Sequence, residues 1–338
     1  MRRWIFWIGI LISAVLLYFP LRTMNLSDVW HTIQTARYWW LLPGIAVYFM
    51  GVYARAWRWH YLLRPIKKIS TNKMFPMVTI GYMGNNIYGY RIGEVLRAMI
   101  LKRHEDVPVS ASLATIIVER IFDGVVMLAF VFLNLPKLAK ATHDSGFIGN
   151  IQNAAIYGSV LFFGVLIVFL VAAMFPRTTS KVVDWCVLHL VPRRFREKTG
   201  NLAHKFLDGL ESLRSPKDVL MVFVTSVVIW LFETGKYWFV MHAFDGINVD
   251  FFTLMLMNGI VNLATTLPSA PGYLGTFDTP GIAVLVAYGV ASNVATGYTL
   301  VLHAALWLPI TALGAYYFFV REGMQWSKVP KVAQEEVP

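Results

Sequence analysis

Between residues 81 and 101 the sequence reads GYMGNNIYGYRIGEVLRAMIL, which places Arg91, Glu94 and Arg97 at i, i+3 and i+6. On a helix that spacing aligns all three along one face. A guanidinium in such a row can grip a phosphate or carboxylate through paired hydrogen bonds, and a carboxylate between two guanidiniums can answer an ammonium. Asn85 and Asn86 stand just before the row, and Gly89 and Gly93 bracket a turn at its start. A second set follows in TIIVERIFDGVV, where Glu119 and Asp123 share a face at i, i+4 and Arg120 lies beside it. Each charge at membrane depth costs ~2.5–3.5 kcal/mol on insertion scales, so such groups pair with one another or line a wet path. One reading of the two sets is an ion-paired brace, and it predicts that Arg91 or Arg97 pairs with Glu119 or Asp123. The other is a headgroup site, because six ionisable groups this close in sequence are more than a brace needs.

A third set surrounds PSAPGYLGTFD: Asn262, Thr265, Thr266, Ser269 and Asp278. Pro268, Pro271, Gly272 and Gly275 break the helix there. The amides freed at a helix N-terminus can hold an anion without any basic side chain; a plain turn is the alternative. Glu233 and Lys236, at i, i+3 in IWLFETGKYW, read as a self-paired brace. His303, alone in an apolar stretch, reads as a packing histidine rather than a ligand.

Enzyme signatures are poor. The eight histidines are scattered, with no His-Glu-x-x-His, no acidic metal cluster, no Gly-x-Ser-x-Gly elbow and no P-loop. No catalytic residue, metal or cofactor is expected, although Glu94 or Asp123 as a general base keeps a lipid-modifying transferase open.

The elements that must position these residues are plain from composition. Of 338 residues 57% are hydrophobic and only 14% charged, against roughly a quarter charged in soluble domains. The apolar residues fall in blocks at 4–19, 38–54, 109–135, 154–175, 219–244 and 294–320, near or above the ~17–25 residues that cross a bilayer. The expected fold is an all-α polytopic membrane protein with about six transmembrane helices. Two further apolar regions, 74–101 and 251–290, are interrupted by GNNIYGYRIG and TTLPSAPGYLGTFDTPG. Non-helical backbone inside lipid survives only where protein or a water-filled cavity satisfies it, so each reads as a re-entrant helical hairpin.

The net charge of +11 is unevenly spread. Residues 55–73 hold six basic residues and no acid, and 177–217 hold nine against four; 242–250 hold no Lys or Arg, and the loops at 21–37 and 136–153 carry two each. This is the positive-inside pattern of cytoplasmic loops. No recognition motif accompanies the charge, so nucleic acid is not an expected partner. Arg2 and Arg3 place the N-terminus inside, and the basic clusters then fall in the cytoplasm if hairpin 74–101 dips from inside and hairpin 251–290 from outside. The apolar start lacks a cleavage site and reads as an uncleaved first helix. Cys186, the single cysteine, excludes an internal disulfide.

That order makes an inverted-topology repeat, the arrangement associated with transporter substrate sites. Its first half is 1–135, with helices 1–3 and hairpin 74–101. Its second is 136–320, with helices 4–6, hairpin 251–290 and an amphipathic cytoplasmic insert at 177–217, before a cytoplasmic tail at 321–338. The insert reads either as helices lying on the membrane surface or as a linker packed on helix ends.

NNIYGYRIGEVLRAMIL, ATIIVERIFDGVVML and LPSAPGYLGTFD, in that order, resemble the lysylphosphatidylglycerol synthase transmembrane region, a flippase-like integral membrane family. The family pattern is an Asn-rich segment into R-x-G-E-x-x-R, an E-R-x-x-D helix and a late P-x-x-P-G-x-x-G-x-[ED] turn, and the likeness covers nearly the whole chain. It is to the membrane region without the soluble aminoacyltransferase domain of full-length synthases. It implies a lipid-handling protein of a prokaryotic cytoplasmic membrane, with an anionic or aminoacylated phospholipid or a lipid-linked sugar as partner. Asn85, Arg91, Gly93, Glu94, Arg97, Glu119, Arg120, Asp123, Pro271, Gly272 and Gly275 occupy the motif positions. A homo-oligomer, or association with a lipid-synthesising enzyme, would fit such a role.

Overall fold

The computed structural model describes residues 10–16, 18, 25–88, 91–141, 160, 164, 167, 171, 174–209, 215–267 and 269–321. Among these residues every regular element is a helix, as expected. The helices are α1 (Leu26–Gln34), α2 (Leu41–Leu63), α3 (Thr71–Tyr88), α4 (Ile92–Glu105), α5 (Val109–Ala141) and α6 (Pro176–Leu190). There follow α7 (Arg196–Gly209), α8 (Pro216–Met241), α9 (Phe251–Ala264), α10 (Asp278–Ala287) and α11 (Ser292–Tyr316). Residues 10–16 are also helical. Most of the helix expected at 154–175 lies outside the described residues, as do much of 4–19, the loop from 142 to 153, Gly89, Pro268 and the tail from 322.

Among the described residues, two helices are long and apolar enough to cross a membrane: Lys217–Met241 and Ser292–Val320. α2 and α5 are long enough, at 23 and 33 residues, but their apolar runs are interrupted by Arg55 and Arg58, and by Glu119, Arg120 and Asp123. α9 and α10, of 14 and 10 residues, rise only about 21 and 15 Å at 1.5 Å per residue, short of a ~30 Å hydrocarbon core.

Two helix boundaries differ from expectation for identifiable reasons. The helix expected at 38–54 runs on to Leu63, because the apolar positions Trp59, Leu62 and Leu63 keep helical spacing and are fully buried. It stops where Pro65 disfavours helical backbone at Arg64. The break expected from Gly84 onward is much shorter. α3 continues to Tyr88 and α4 resumes at Ile92, so Asn85 and Asn86 are helical.

The glycines of this region are packing residues. A Cβ on Gly93 would stand 1.7 Å from the Gly81 carbonyl oxygen, and one on Gly84 would stand 2.8 Å from the Gly93 Cα. α3 and α4 thus touch backbone to backbone, the close approach that small residues permit between membrane helices. Gly314 of α11 does the same on α3, where an added Cβ would meet the Thr79 carbonyl oxygen at 2.6 Å.

The chain forms two compact units. One comprises Met1–Met50, Pro76–Arg97 and Phe232–Pro338; the other comprises Gly51–Phe75 and Ala98–Leu231. In the first, α10 packs between α9 and α11, and α11 also packs on α1. Gly44 and Gly235 bring α2 and α8 together there, meeting Val240 and Val47. Asp250 caps α9 by accepting the Thr253 N–H at 2.8 Å. In the second unit α7 packs on α5 and α6. The expected amphipathic insert is present as α6 and α7, with Val182, Trp185 and Leu188 exposed at i, i+3 and i+6 and Asp184 bonded to His204 at 2.8 Å. Lys73 and Lys67 both hydrogen-bond Glu105, and these contacts hold its carboxyl below the usual range.

The glycine contact gives a direct test. Gly93→Ala must push α3 and α4 apart and should lower the stability of the detergent-solubilised protein by at least the 1–3 kcal/mol typical of overpacking, roughly. Gly164→Ala, at a helical site with nothing within 4 Å, should be neutral or slightly stabilising. Equal melting temperatures for the two variants would refute the close crossing.

Candidate functional site

In the first unit the two interrupted regions meet. Asn86, near the end of α3, donates from Nδ2 to Thr311 Oγ1 on α11 at 2.8 Å. The turn between α9 and α10 reaches the same place: a Cβ on Gly272 would lie 3.8 Å from the Asn86 carbonyl oxygen and 2.9 Å from Trp307 Nε1. Gly272 has φ 75° and Gly275 φ 80°, a region that glycine enters without steric cost. An added Cβ at Gly275 would meet the Ser13 carbonyl oxygen at 2.9 Å. Ser13 Oγ accepts the Ala270 N–H at 2.8 Å, and Thr279 donates to the Leu16 carbonyl at 2.7 Å, so residues 10–16 hold the outer side of this turn.

The α3–α4 break is closed by its own side chains. Asn85 Oδ1 accepts the Gly93 N–H at 2.8 Å, filling one of the amides expected to lie open at the start of α4. Arg91 occupies the break itself with φ 55°, a left-handed conformation that costs a non-glycine residue about 1 kcal/mol or more. Its guanidinium lies 3.6 Å from Glu94, and both side chains keep partial exposure. Arg97 is buried on α4.

Residues expected at the second break find local partners. Thr265 and Thr266 donate to the carbonyls of Asn262 and Leu263 at 2.9 and 2.6 Å, satisfying the orphan acceptors of the α9 C-terminus. Asn262 bonds Asn258, which bonds Thr234. Ser269 is buried, and Pro271 opens the short 3₁₀ turn ending at Tyr273. Asp278 is fully buried, with Oδ2 accepting the Gly275 N–H at 2.9 Å and Oδ1 2.8 Å from His303 Nδ1. His303 Nε2 lies 2.7 Å from the Gly272 carbonyl oxygen. The reading of His303 as a histidine with both nitrogens satisfied therefore holds. The Glu233–Lys236 brace also forms, buried, with the ammonium 4.2 Å from the Tyr48 ring centre.

The second unit holds a separate polar cluster. Arg58 Nη1 and Nη2 reach the two oxygens of Asp123 at 2.6 and 3.2 Å, and Nη1 also reaches Ser226 Oγ at 2.7 Å. Trp230 Nε1 donates to Asp123 Oδ1 at 2.9 Å, and Arg120 lies 3.3 Å from Oδ2. The Arg55 guanidinium sits 5.3 Å from the Trp230 ring centre. Arg55, Arg58, Glu119 and Asp123 are all buried. Two buried guanidiniums, and the part-exposed Arg120 beside them, therefore accompany two buried carboxylates.

Asp123 thus takes Arg58, and Arg91 takes Glu94, in place of the Arg91 to Asp123 pairing that the brace reading allowed. Arg55 and Arg58 had been counted with the cytoplasmic basic cluster. Their i, i+3 spacing inside a continuing Trp and Leu pattern was the signal that they belong to a buried helix. His303 and Asp278, 25 residues apart, gave no local signal of pairing. No group of three or more His, Cys, Asp or Glu side chains among the described residues could hold a metal.

The chain belongs to the family described as the lysylphosphatidylglycerol synthase TM region, which matches residues 6–314. It is thus a membrane protein of that family. A UPF0104 membrane protein of Methanothermobacter thermautotrophicus is 25% identical over 82% of this chain and 83% of its own length. A second UPF0104 membrane protein of that organism is 22% identical over 90% and 92%. The glycosyltransferase AglD of Haloferax volcanii is 23% identical over 90% of this chain but 52% of its own length.

Charge bookkeeping in the second cluster predicts an asymmetry. Asp123→Asn leaves three neighbouring guanidiniums with one formal countercharge fewer, and should cost about 3–5 kcal/mol, as removing one partner of a buried pair does. Arg58→Met leaves Asp123 with Arg120 and Arg55 nearby and should cost less. Thermal unfolding of the purified variants measures this, and a larger loss for Arg58→Met would contradict the arrangement.

Proposed function

We propose that this protein moves a polar or anionic lipid, such as a modified phospholipid or a polyprenyl-phosphate-linked lipid, between the leaflets of a prokaryotic cytoplasmic membrane. The observation that carries the reading is the meeting of two helix breaks in one unit, beside Arg91, Glu94, Asn85 and Asn86. Backbone of this kind inside a membrane protein marks a cavity or a substrate path, and α9 and α10 are too short to cross. Arg91 takes the lipid phosphate through charge-assisted bonds, and the start of α4 favours the same negative charge. Glu94 limits how tightly that phosphate is held and answers a cationic headgroup. Arg97 extends the row, and Glu119, Arg120 and Asp123 with Arg55 and Arg58 form a further polar station. The acyl tails stay in lipid throughout. In this reading both termini are cytoplasmic and the two broken elements are re-entrant hairpins of an inverted repeat.

A second reading, a membrane-embedded lipid- or glycolipid-modifying enzyme, draws on the relative named as a glycosyltransferase. That name describes a protein about twice the length that this chain matches. An enzyme would yield a new lipid species; a translocator changes only sidedness.

Reconstituted into vesicles with fluorescent anionic or aminoacylated phospholipids, the protein should make inner-leaflet lipid accessible to an external quencher. Arg91→Gly, which relieves the backbone while removing the guanidinium, and Glu94→Ala should each slow this roughly 10- to 100-fold, the effect of losing one charge-assisted bond, in protein that remains folded. Unchanged rates in both would reduce the row to a brace. Topology is tested separately in a Cys186→Ser background: Ile247→Cys should label from outside and Ser70→Cys only from inside. Labelling of Ser70→Cys from outside would invert the orientation.

A further inference from the structure

His303 is held between two acceptors. Its Nε2 faces the Gly272 carbonyl oxygen at 2.7 Å and its Nδ1 faces Asp278 Oδ1 at 2.8 Å. A carbonyl has no proton to give, so Nε2 carries an N–H. The Nδ1 contact then needs a second proton, on Nδ1 or on Asp278 Oδ1. The other carboxyl oxygen is already an acceptor, taking the Gly275 N–H at 2.9 Å. In either arrangement the pair holds one proton more than a neutral imidazole and a carboxylate would, and the two arrangements are one titration state.

Loss of that proton has a defined structural consequence. It passes from the pair to water as hydronium, and a nitrogen lone pair is left behind on the imidazole. A neutral imidazole serves one acceptor only. The charged carboxylate, the stronger acceptor, keeps the remaining N–H, and the Gly272 carbonyl then faces a lone pair. The turn released in this way is one that needs outside support. Gly272, Tyr273 and Gly275 have φ of 75°, 61° and 80°, and Tyr273 pays for a conformation that only glycine adopts freely.

We propose that Asp278 and His303 form a proton-binding site whose occupancy closes the turn between α9 and α10 and whose emptying opens it, making lipid movement proton-linked. The last clause rests on the translocation reading; the proton site itself does not. Other titratable groups on the surrounding elements are Asp28 and His31 on α1, Lys73, Tyr82 and Tyr88 on α3, Lys217, Asp218, Glu233, Lys236 and Tyr237 on α8, Asp250 at the start of α9, Tyr298 and Tyr316 on α11, Tyr273 in the turn itself, and Arg91 and Glu94 at the α3–α4 break. Asp278 on α10 is the charged group in hydrogen-bond contact with the ring, and the Phe277 ring lies 4.5 Å from it between centres. α1 meets α11 at Gly297, six residues or about 9 Å along the axis from His303. Tyr237 contributes its backbone carbonyl to Tyr298, and Glu233 and Lys236 neutralise each other.

Leu274, half-exposed within the turn, reports the opening. In a Cys186→Ser chain in lipid nanodiscs, the thiol-labelling rate of Leu274→Cys is divided by that of Ser70→Cys in the exposed loop after α2, which cancels the common pH dependence of thiolate reactivity. The ratio should rise several-fold in one single-proton step as pH is raised, scanned across the window of about 5 to 8 in which an ordinary imidazole changes charge. His303→Gln should flatten it. Asp278→Asn, which replaces the carboxylate facing Nδ1, should change the midpoint of the step. A flat ratio in the parent, or a step that persists unchanged in His303→Gln, overturns the proposal. If His303→Gln does not fold, the parent step and its shift in Asp278→Asn decide it. A clear step without lipid movement at any pH upholds the proton site and overturns translocation; lipid movement with a flat ratio does the reverse.

Discussion

In apolar surroundings a backbone amide or carbonyl that leaves a helix has nowhere else to turn, and each one left without a partner costs several kcal/mol. The first unit is organised around that cost. Gly93 N–H is met by Asn85, Ala270 N–H by Ser13, Gly275 N–H by Asp278, and the carbonyls of Asn262, Leu263 and Gly272 by Thr265, Thr266 and His303. Four of these partners are local, but Ser13 and His303 come from 257 and 31 residues away, so the second break is completed only in the assembled unit. A turn that would be trivial in water becomes a reason for residues 10–16, α10 and α11 to be where they are.

Buried charge obeys the same accounting. Glu233 and Lys236 close on each other within one helical turn, and the aliphatic and aromatic surroundings of the ammonium add the Tyr48 and Tyr237 rings. Arg58 meets Asp123 through both terminal guanidinium nitrogens, and Ser226 and Trp230 add one further hydrogen bond each, to Arg58 and to Asp123. Such pairs rarely add stability over apolar packing of the same volume. The Arg91–Glu94 contact is different in kind: it is longer, partly exposed, and sits at a break. Of the charged groups described it has the character of something that can exchange its partner for a ligand.

The helical class, the two interruptions and the amphipathic insert were legible because each rests on local composition: apolar run length, Pro and Gly density, and period. Gly84 and Gly93 were counted in the interruption because sequence does not distinguish a glycine that ends a helix from one that lets another backbone approach. Only Gly93 set against Gly81 at a distance no Cβ could fit separates the two uses. Arg55 and Arg58 were hidden by a different ambiguity. A basic residue at the end of an apolar run counts equally as cytoplasmic charge or as a buried partner, and Asp123, 65 residues away from Arg58, decides it. Pairings at that range leave no periodic trace. His303 shows a middle case: its chemistry as a satisfied histidine was legible, and its partners were not.

The two breaks solve the same backbone problem with different residues, and the difference bears on function. At the α9–α10 turn two of the three left-handed positions are glycine, the choice that costs least. At the α3–α4 break the left-handed position is Arg91. Glycine there would remove about 1 kcal/mol of strain and a long side chain that must be ordered, and it would spare Glu94 a neighbour to hold. The close crossing of α3 on α4 is made by Gly81, Gly84 and Gly93. A strained backbone position held by a charged residue points to a use for its side chain. In the proposed translocation, this part-exposed cation at the start of α4, 3.6 Å from Glu94, is the group that receives the phosphate and lets it go.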